Sequence, residues 1–99
     1  MKRVVDTKHK PLLTRSMETC DGVQNVFRFE NGFGASVVKH EFSYGHESGL
    51  WELGVIKFST NNDDADDWSL IYDTGITTDV MGHLDDDQVD KLLDRIKAL

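Results

Sequence analysis

The residues of this chain that could do chemistry are four histidines, one cysteine and a run of aspartates. Cys20, His40, His46 and His83 are of the types that bind zinc, but none has a partner at the close Cys-x₂-Cys or His-x₃-His spacing of zinc sites. A single cysteine also rules out an internal disulfide, which fits a reducing compartment. The sequence therefore predicts no metal ion and no cofactor.

The aspartate run lies in the segment NNDDADD and invites comparison with calcium loops, whose ligands are oxygen atoms. The EF-hand pattern is not met, because the segment has no glycine at the sharp turn and no closing glutamate. The composition instead indicates an acidic connection exposed to solvent. The four carboxylates belong to Asp63, Asp64, Asp66 and Asp67.

Nucleophilic chemistry would need a serine with a base placed beside it by the fold. Ser43 and Ser48 flank His46, but no nucleophile-elbow motif surrounds them. The glycine-rich run Asn31–Gly34 lacks the glycine spacing and the following helix of a phosphate-binding loop. The sequence predicts no catalytic residues and no enzyme.

The elements around these residues are organised on the segment Asn31 to Phe58. The residue pattern predicts a strand over 23–30, followed by the hairpin-turn pair Asn31-Gly32. Two further strands are predicted over 33–42 and 50–59, joined by the loop 43–49. A short strand is predicted over 68–72. Within each strand, alternation puts one set of apolar residues on one face: Val23, Phe27 and Phe29; Phe33, Ala35 and Val37; Trp51, Leu53 and Val55. The second and third strands also have apolar residues on the other face: Val38 and Phe42; Leu50, Ile56 and Phe58.

The C-terminal residues predict an amphipathic helix. Asp85 is a good N-cap, and Gln88 three residues later completes a capping box. Asp86 and Asp87 then fall in the first turn, where the helix dipole favours negative charge. One apolar stripe follows, made by Val89, Leu92, Leu93, Ile96 and Leu99.

Together these elements predict an α+β fold, an antiparallel four-stranded meander sheet with the C-terminal helix packed on one face. Residues 23–99 form this single domain, and residues 1–22 form an N-terminal arm that is basic at its start and partly irregular. Lys2 to Asp6 could add a fifth strand, Leu12 to Thr19 a turn of helix, and Thr77 to His83 a connection with one helical turn.

One sheet face is left over in this arrangement. Either it binds a partner or a second copy, or the N-terminal residues cover it. Both tryptophans could belong to the core, which the sequence favours more for Trp51 than for Trp68. Alternatively, Tyr44, His46 and Trp68 could form an aromatic patch, since such residue types concentrate interface energy. These three residues and the aspartate run, Asp63, Asp64, Asp66 and Asp67, make the candidate interaction surface.

The charge of the chain is uneven. The net charge is −7, although the first fifteen residues carry five basic side chains against Asp6 alone. The body is therefore more acidic than the total suggests and would repel a phosphate backbone, which argues against direct nucleic-acid binding. The basic arm could fold back on this body or reach for an acidic partner.

Several motifs occur in order along the chain: NGFGASVV at 31–38, SYG at 43–45, GLWEL at 49–53, YDT at 72–74 and DVMG at 79–82. In these motifs the chain resembles a group of small uncharacterised proteins of tailed bacteriophages, over roughly residues 23–99. The resemblance implies a phage or prophage origin and a location in the host cytoplasm. It implies no catalytic residues.

The leading hypothesis is a small acidic phage-type accessory protein that binds a host or phage protein, with a homodimer as one option. A special version is nucleic-acid mimicry, in which the carboxylates of the aspartate run and of the helix imitate phosphates. The alternative is a structural or assembly component that acts through self-association, and a small enzyme ranks third. No apolar run reaches the length of about 18 residues that a membrane span needs, so no membrane contact is expected.

Overall fold

Six strands and a C-terminal helix make up the chain in a computed structural model, which describes residues 5–17, 22–39, 50–59, 67–71, 74–75 and 81–99. The elements are β1 (Leu13–Met17), β2 (Gly22–Arg28), β3 (Phe33–Lys39), β4 (Trp51–Phe58), β5 (Trp68–Leu70), β6 (Met81–Leu84) and α1 (Asp86–Lys97).

The sheet is an antiparallel meander in which β1 to β5 follow one another in chain order. β4 pairs with β3 along one edge and with two short strands as well: β5 opposite Ile56–Phe58, and β6 opposite Trp51 and Leu53. The predicted α+β meander with a C-terminal helix is confirmed, and the described residues form six strands of the sheet rather than four or five.

Two local predictions near the sheet edges are wrong. Leu13–Met17 is strand β1 and not a turn of helix, because its backbone pairs with the outer edge of β2. Met81–Leu84 is strand β6 and not a helical connection. The strand predicted over Lys2 to Asp6 lies mostly outside the described residues, and its two described members, Val5 and Asp6, belong to no strand.

The predicted hairpin turn between β2 and β3 is confirmed. The amide of Phe29 donates to the carbonyl of Phe33 at 2.8 Å and closes the hairpin. Gly32 has a φ of +86°, a backbone conformation that glycine adopts without steric cost. The turn therefore fixes the register that sends alternate side chains of β2 and β3 to opposite faces.

The main core lies between the sheet and α1. The alternation predicted within each strand is confirmed: apart from Phe33, the odd-numbered apolar residues of β2, β3 and β4 are buried in this core, and Phe29 and Phe33 pack against it partly buried. The fully buried core side chains include Val23, Phe27, Ala35, Val37, Trp51, Leu53, Val55, Val89, Leu93 and Ile96.

Helix α1 begins as predicted. The Asp85 carboxylate accepts the amide of Gln88, and the Gln88 side chain accepts the amide of Asp85, which completes the capping box. At the other end the Asn31 side chain donates to the carbonyls of Ile96, Lys97 and Leu99, which satisfies groups that a helix end leaves open. Leu99 follows the helix and is 41% exposed, so it does not continue the buried stripe.

The opposite sheet face has a smaller apolar cluster made by Val26, Ile56 and Phe58, with Leu13 and Trp68 partly buried against it. Polar side chains are buried beside this cluster. The Gln24 side chain donates to Ser36 at 2.8 Å and accepts from Arg15 at 2.8 Å. This face is therefore divided between an apolar end and a hydrogen-bonded polar part.

Candidate interaction surface

The structure describes two of the residues predicted to form the interaction surface, Asp67 and Trp68, which are adjacent at the start of β5 and half-buried. The other predicted members lie outside the described residues: Tyr44, His46, Asp63, Asp64 and Asp66.

Trp68 and Leu70 form an apolar stripe on β5, called here the β5 stripe. Trp68 pairs with Phe58 across the sheet, and Leu70 pairs with Ile56. Trp68 packs against the small cluster, whereas Leu70 is 43% exposed. The carbonyl of Asp67 accepts the amide of Ser59 at 2.9 Å, so the end of the acidic segment is fixed beside the stripe.

Cationic groups lie over aromatic rings on both faces of the sheet. The guanidinium of Arg28 is 5.0 Å from the ring centroid of Phe58, behind the β5 stripe. On the helix side, the ammonium of Lys39 is 4.1 Å from the ring centroid of Trp51. Both pairs have the geometry of cation–π contacts, which stabilise most where water is excluded.

The carboxylates in the first turn of α1 have partners within the chain. Asp85 caps the helix, Asp86 accepts the indole N–H of Trp51 at 2.7 Å, and Asp87 pairs with Lys91 at 3.1 Å. Trp51 is buried, so its hydrogen bond to Asp86 satisfies a donor that would otherwise be costly to bury. These carboxylates thus have structural roles in addition to their charge.

Two further helix carboxylates hold the N-terminal segment. Asp94 accepts the ammonium of Lys8 at 2.7 Å and the Nε2 of His9 at 2.8 Å. Asp90 accepts the hydroxyl of Thr7 and the backbone amide of Lys8. Thr7, Lys8 and His9 of the basic arm are therefore folded back on the acidic body. Sequence reasoning did not single out His9; its position in the basic arm was the available signal.

These contacts shift the titration of the groups involved. Hydrogen bonding to Asp94 is the main cause of the raised pKa of Lys8. The hydroxyl of Thr7 is the main cause of the lowered pKa of Asp90, and Lys8 has the same effect on the pKa of Asp94. Each shift favours the charged form, so the contacts are strongest when all three groups are ionised.

The hydroxyl of Thr7 and the ring of His9 hydrogen-bond to different carboxylates, Asp90 and Asp94. These residues therefore do not form a serine-protease-type triad, in which a histidine lies between the hydroxyl and the carboxylate. The contacts tether the N-terminal segment to α1.

Two clefts border the helix. The first, of about 330 Å³, is lined by Asp6, Thr7, Lys8, Asp86, Asp87 and Asp90, and the second, of about 390 Å³, by Phe33, Lys57, Ile71, Thr74 and Leu99. His83 lines neither and is exposed on β6. Across the described part of the chain, no group of three or more His, Cys, Asp or Glu is arranged to hold a metal ion. The other predicted zinc ligands, Cys20, His40 and His46, lie outside that part.

Comparison of the chain with protein-family models, with curated proteins and with solved structures found no significant match. Among the described residues, no helix has the length and apolar character that crossing a membrane requires.

Proposed function

We propose that this protein acts by binding another protein, and that the β5 stripe with the acidic segment beside it is the contact surface. The observation that carries the proposal is Leu70, a large apolar side chain that is 43% exposed next to the half-buried Trp68. An aromatic side chain anchored in a core offers rigid contact area at little entropic cost, and such residues concentrate binding energy.

Charge specifies the kind of partner. The acidic run Asp63 to Asp67 directly precedes Trp68 in the chain, and its last member, Asp67, is adjacent to the stripe. A partner with an apolar pocket rimmed by lysine or arginine would match both features. The resemblance to tailed-phage proteins favours a host or phage protein in the host cytoplasm as that partner.

Nucleic-acid mimicry is a weaker version of this proposal. It would use the carboxylates of α1 as spaced phosphates, but Asp86, Asp90 and Asp94 each accept hydrogen bonds from elsewhere in the chain. Mimicry would therefore depend mainly on the acidic run at 63–67. Its binding to a DNA-handling protein would weaken steeply with salt.

Self-association is the second candidate function, and the same exposed Leu70 supports it, because β5 is the last strand of the meander. Two copies that meet through this stripe would bring two acidic segments together. Like charges at an interface oppose association. The charge therefore favours a basic partner over a second copy.

Affinity capture with matched variants tests the proposal. Tagged wild type, Leu70→Ser and Leu99→Ser are used on the same host lysate. Leu99 is the control, because it is similarly exposed but lies at the far end of α1. We expect the partner to be lost with Leu70→Ser and retained with Leu99→Ser. Retention of the partner by all three proteins would refute the assignment of this surface.

Measurements on the purified protein and its captured partner then distinguish a combined apolar and charged contact, nucleic-acid mimicry and self-association. Titration calorimetry at rising NaCl concentration should show a moderate loss of affinity if apolar contact and charge act together, and a steep loss for mimicry. Sedimentation equilibrium of the protein alone at micromolar concentration tests self-association. A dimer that Leu70→Ser dissociates would favour the assembly function.

A further inference from the structure

The segment Val5–His9, called here the strap, crosses α1 and is fixed at both ends. Val5 is 2% exposed and belongs to the main core. At the other end, the side chain of His9 is 8% exposed and meets the ring of Phe29 edge-on, with centroids 5.4 Å apart. Between these two anchors the strap has no helix or strand structure.

Side chains hold the middle of the strap. The amide of Lys8 donates to Asp90 at 3.1 Å, and the amide of His9 donates to the hydroxyl of Thr7 at 3.2 Å. The ammonium of Lys8 pairs with both carboxylates, and Nε2 of His9 hydrogen-bonds to Asp94. Between its two anchors, the strap is therefore attached through two carboxylates of one helix face.

The helix beneath is attached far more firmly. Four of its side chains are buried against the sheet: Val89, Leu92, Leu93 and Ile96. The strap contributes Val5 alone to that core, and the ammonium-bearing side chain of Lys8 is 61% exposed. Regions with few buried apolar contacts and solvent-exposed hydrogen bonds open before the rest of a protein.

We propose that Val5–His9 is a releasable strap, which leaves α1 as a unit while the sheet and helix stay folded, once the charges of Asp90 and Asp94 are neutralised or screened. Release exposes Asp90 and Asp94 and frees the basic arm, with Lys8 and Lys10, to contact an acidic partner. The device is independent of the β5 stripe, so either proposal can fail without the other.

The surrounding charges make the attachment of the strap depend on the negative charges of Asp90 and Asp94. The ammonium of Lys8 attracts Asp90 and Asp94, whereas Asp6 on the strap has the same sign as Asp86 and Asp87, with which it lines one cleft. Removing the attraction leaves repulsion between the strap and the first turn of α1. The lowered pKa values of both carboxyls agree with an attraction that operates throughout the neutral range.

Amide hydrogen exchange followed by NMR at pH 7 tests the strap. The Asp90→Asn/Asp94→Asn variant keeps side-chain oxygens in place but removes both charges, and Asp87→Asn is the control because Asp87 pairs with Lys91. In the double variant we expect the Lys8 and His9 amides to exchange about tenfold faster or more, while the Leu92 and Leu93 amides keep their wild-type rates. Asp87 does not hold the strap and has the same sign as Asp6, so the control should accelerate neither group of amides.

Wild type in rising NaCl provides the second measurement, read from the ring resonances of His9, whose shifts depend on Phe29. Release moves these resonances toward unfolded values while the Trp51 indole signal stays native. Two results would overturn the proposal: strap and helix amides that accelerate together, and strap amides whose exchange is indifferent to both charge removal and salt.

Discussion

The two faces of the sheet are packed by different means. The face beneath α1 is filled by large apolar side chains from β2, β3 and β4, with four helix residues closing over them. Among the described residues, the opposite face buries a smaller apolar cluster, made by Val26, Ile56 and Phe58. The difference indicates that the helix side contributes most of the buried apolar area that stabilises the fold.

The division is not strictly apolar against polar. On the helix side Asn25 is fully buried and accepts the hydroxyl of Thr14 at 3.0 Å, and the buried Lys39 lies over Trp51. On the opposite side Gln24 and Ser36 are buried as a hydrogen-bonded pair. Each face thus buries polar groups with partners, and what separates the faces is the amount of apolar area beneath a cover.

The largest effect on stability is expected from Gly34→Ala. Gly34 lies where the backbone of Phe27 and the ring of Phe58, on the face away from α1, approach closely. A Cβ at this position would lie 1.8 Å from the carbonyl oxygen of Phe27 and 3.1 Å from the ring of Phe58. A backbone atom cannot move aside as a side chain can, so we expect a loss of more than about 4 kcal/mol in the free energy of unfolding. Urea denaturation followed by circular dichroism measures it.

Gly32→Ala is the control for this change. Gly32 has a positive φ, but a Cβ there would meet nothing within 4 Å. Its cost should be confined to backbone strain, about 1 kcal/mol. Equal losses for the two variants would contradict the close approach at Gly34.

Leu93→Ala tests the strength of the helix side. Leu93 is fully buried between α1 and the sheet, so its truncation leaves a cavity and should lower the free energy of unfolding by about 3 kcal/mol. Leu70→Ala makes the same chemical change on the exposed β5 stripe and should cost about 0.5 kcal/mol or less. The urea midpoints of the two variants give the comparison, and similar midpoints would contradict the division between the faces.

The parts of the fold that the sequence predicted are those where burial dictates the pattern. The alternation around Phe27, Val37 and Leu53 follows from a sheet with one covered face, and the Asp85 capping box follows from local hydrogen bonding. Both signals lie within a few neighbouring residues. They therefore needed no knowledge of distant contacts.

The edge strands β1 and β6 could not be predicted from such local patterns. β1 has the sequence LTRSM and β6 the sequence MGHL, and neither alternates strongly enough to predict a strand. β6 is further obscured by the positive φ of His83 and a register shift against β4. Each strand is defined by the edge with which it pairs, which is a property of the assembled sheet.

The contacts of the strap could not be predicted from the sequence, for a related reason. Lys8 and Asp94 are separated by 86 positions, and the sequence showed only that a basic arm and an acidic body could attract each other. Which carboxylates would accept the arm depends on how α1 lies on the sheet. For the same reason, the candidate surface of β5 could be named from Trp68, but the exposure of Leu70 beside it could not.

The smallest effect expected concerns pH and is confined to the helix side. The pKa values of Asp90 and Asp94 are lowered from the ordinary 3.8, so their contribution to stability is complete above that value and is lost as pH falls through the lowered values. The pKa of Lys8 is raised from 10.5, so its contribution is complete below that value and is lost as pH rises further. Between these limits the strap should stay closed.

Acid titration followed by NMR tests whether this loss of stability is confined to the helix side. The ring of His9 reports on the strap, and the indole of Trp68 reports on the opposite face. As pH falls below 3.8, the ring resonances of His9 should lose the shift caused by Phe29 before the indole signal of Trp68 changes. In the Asp90→Asn/Asp94→Asn variant the carboxyls are absent, so this separate acid transition should disappear. Simultaneous loss of both signals in the wild type would mean that the strap and the opposite face unfold as one unit, and the strap would then be part of the core that it crosses.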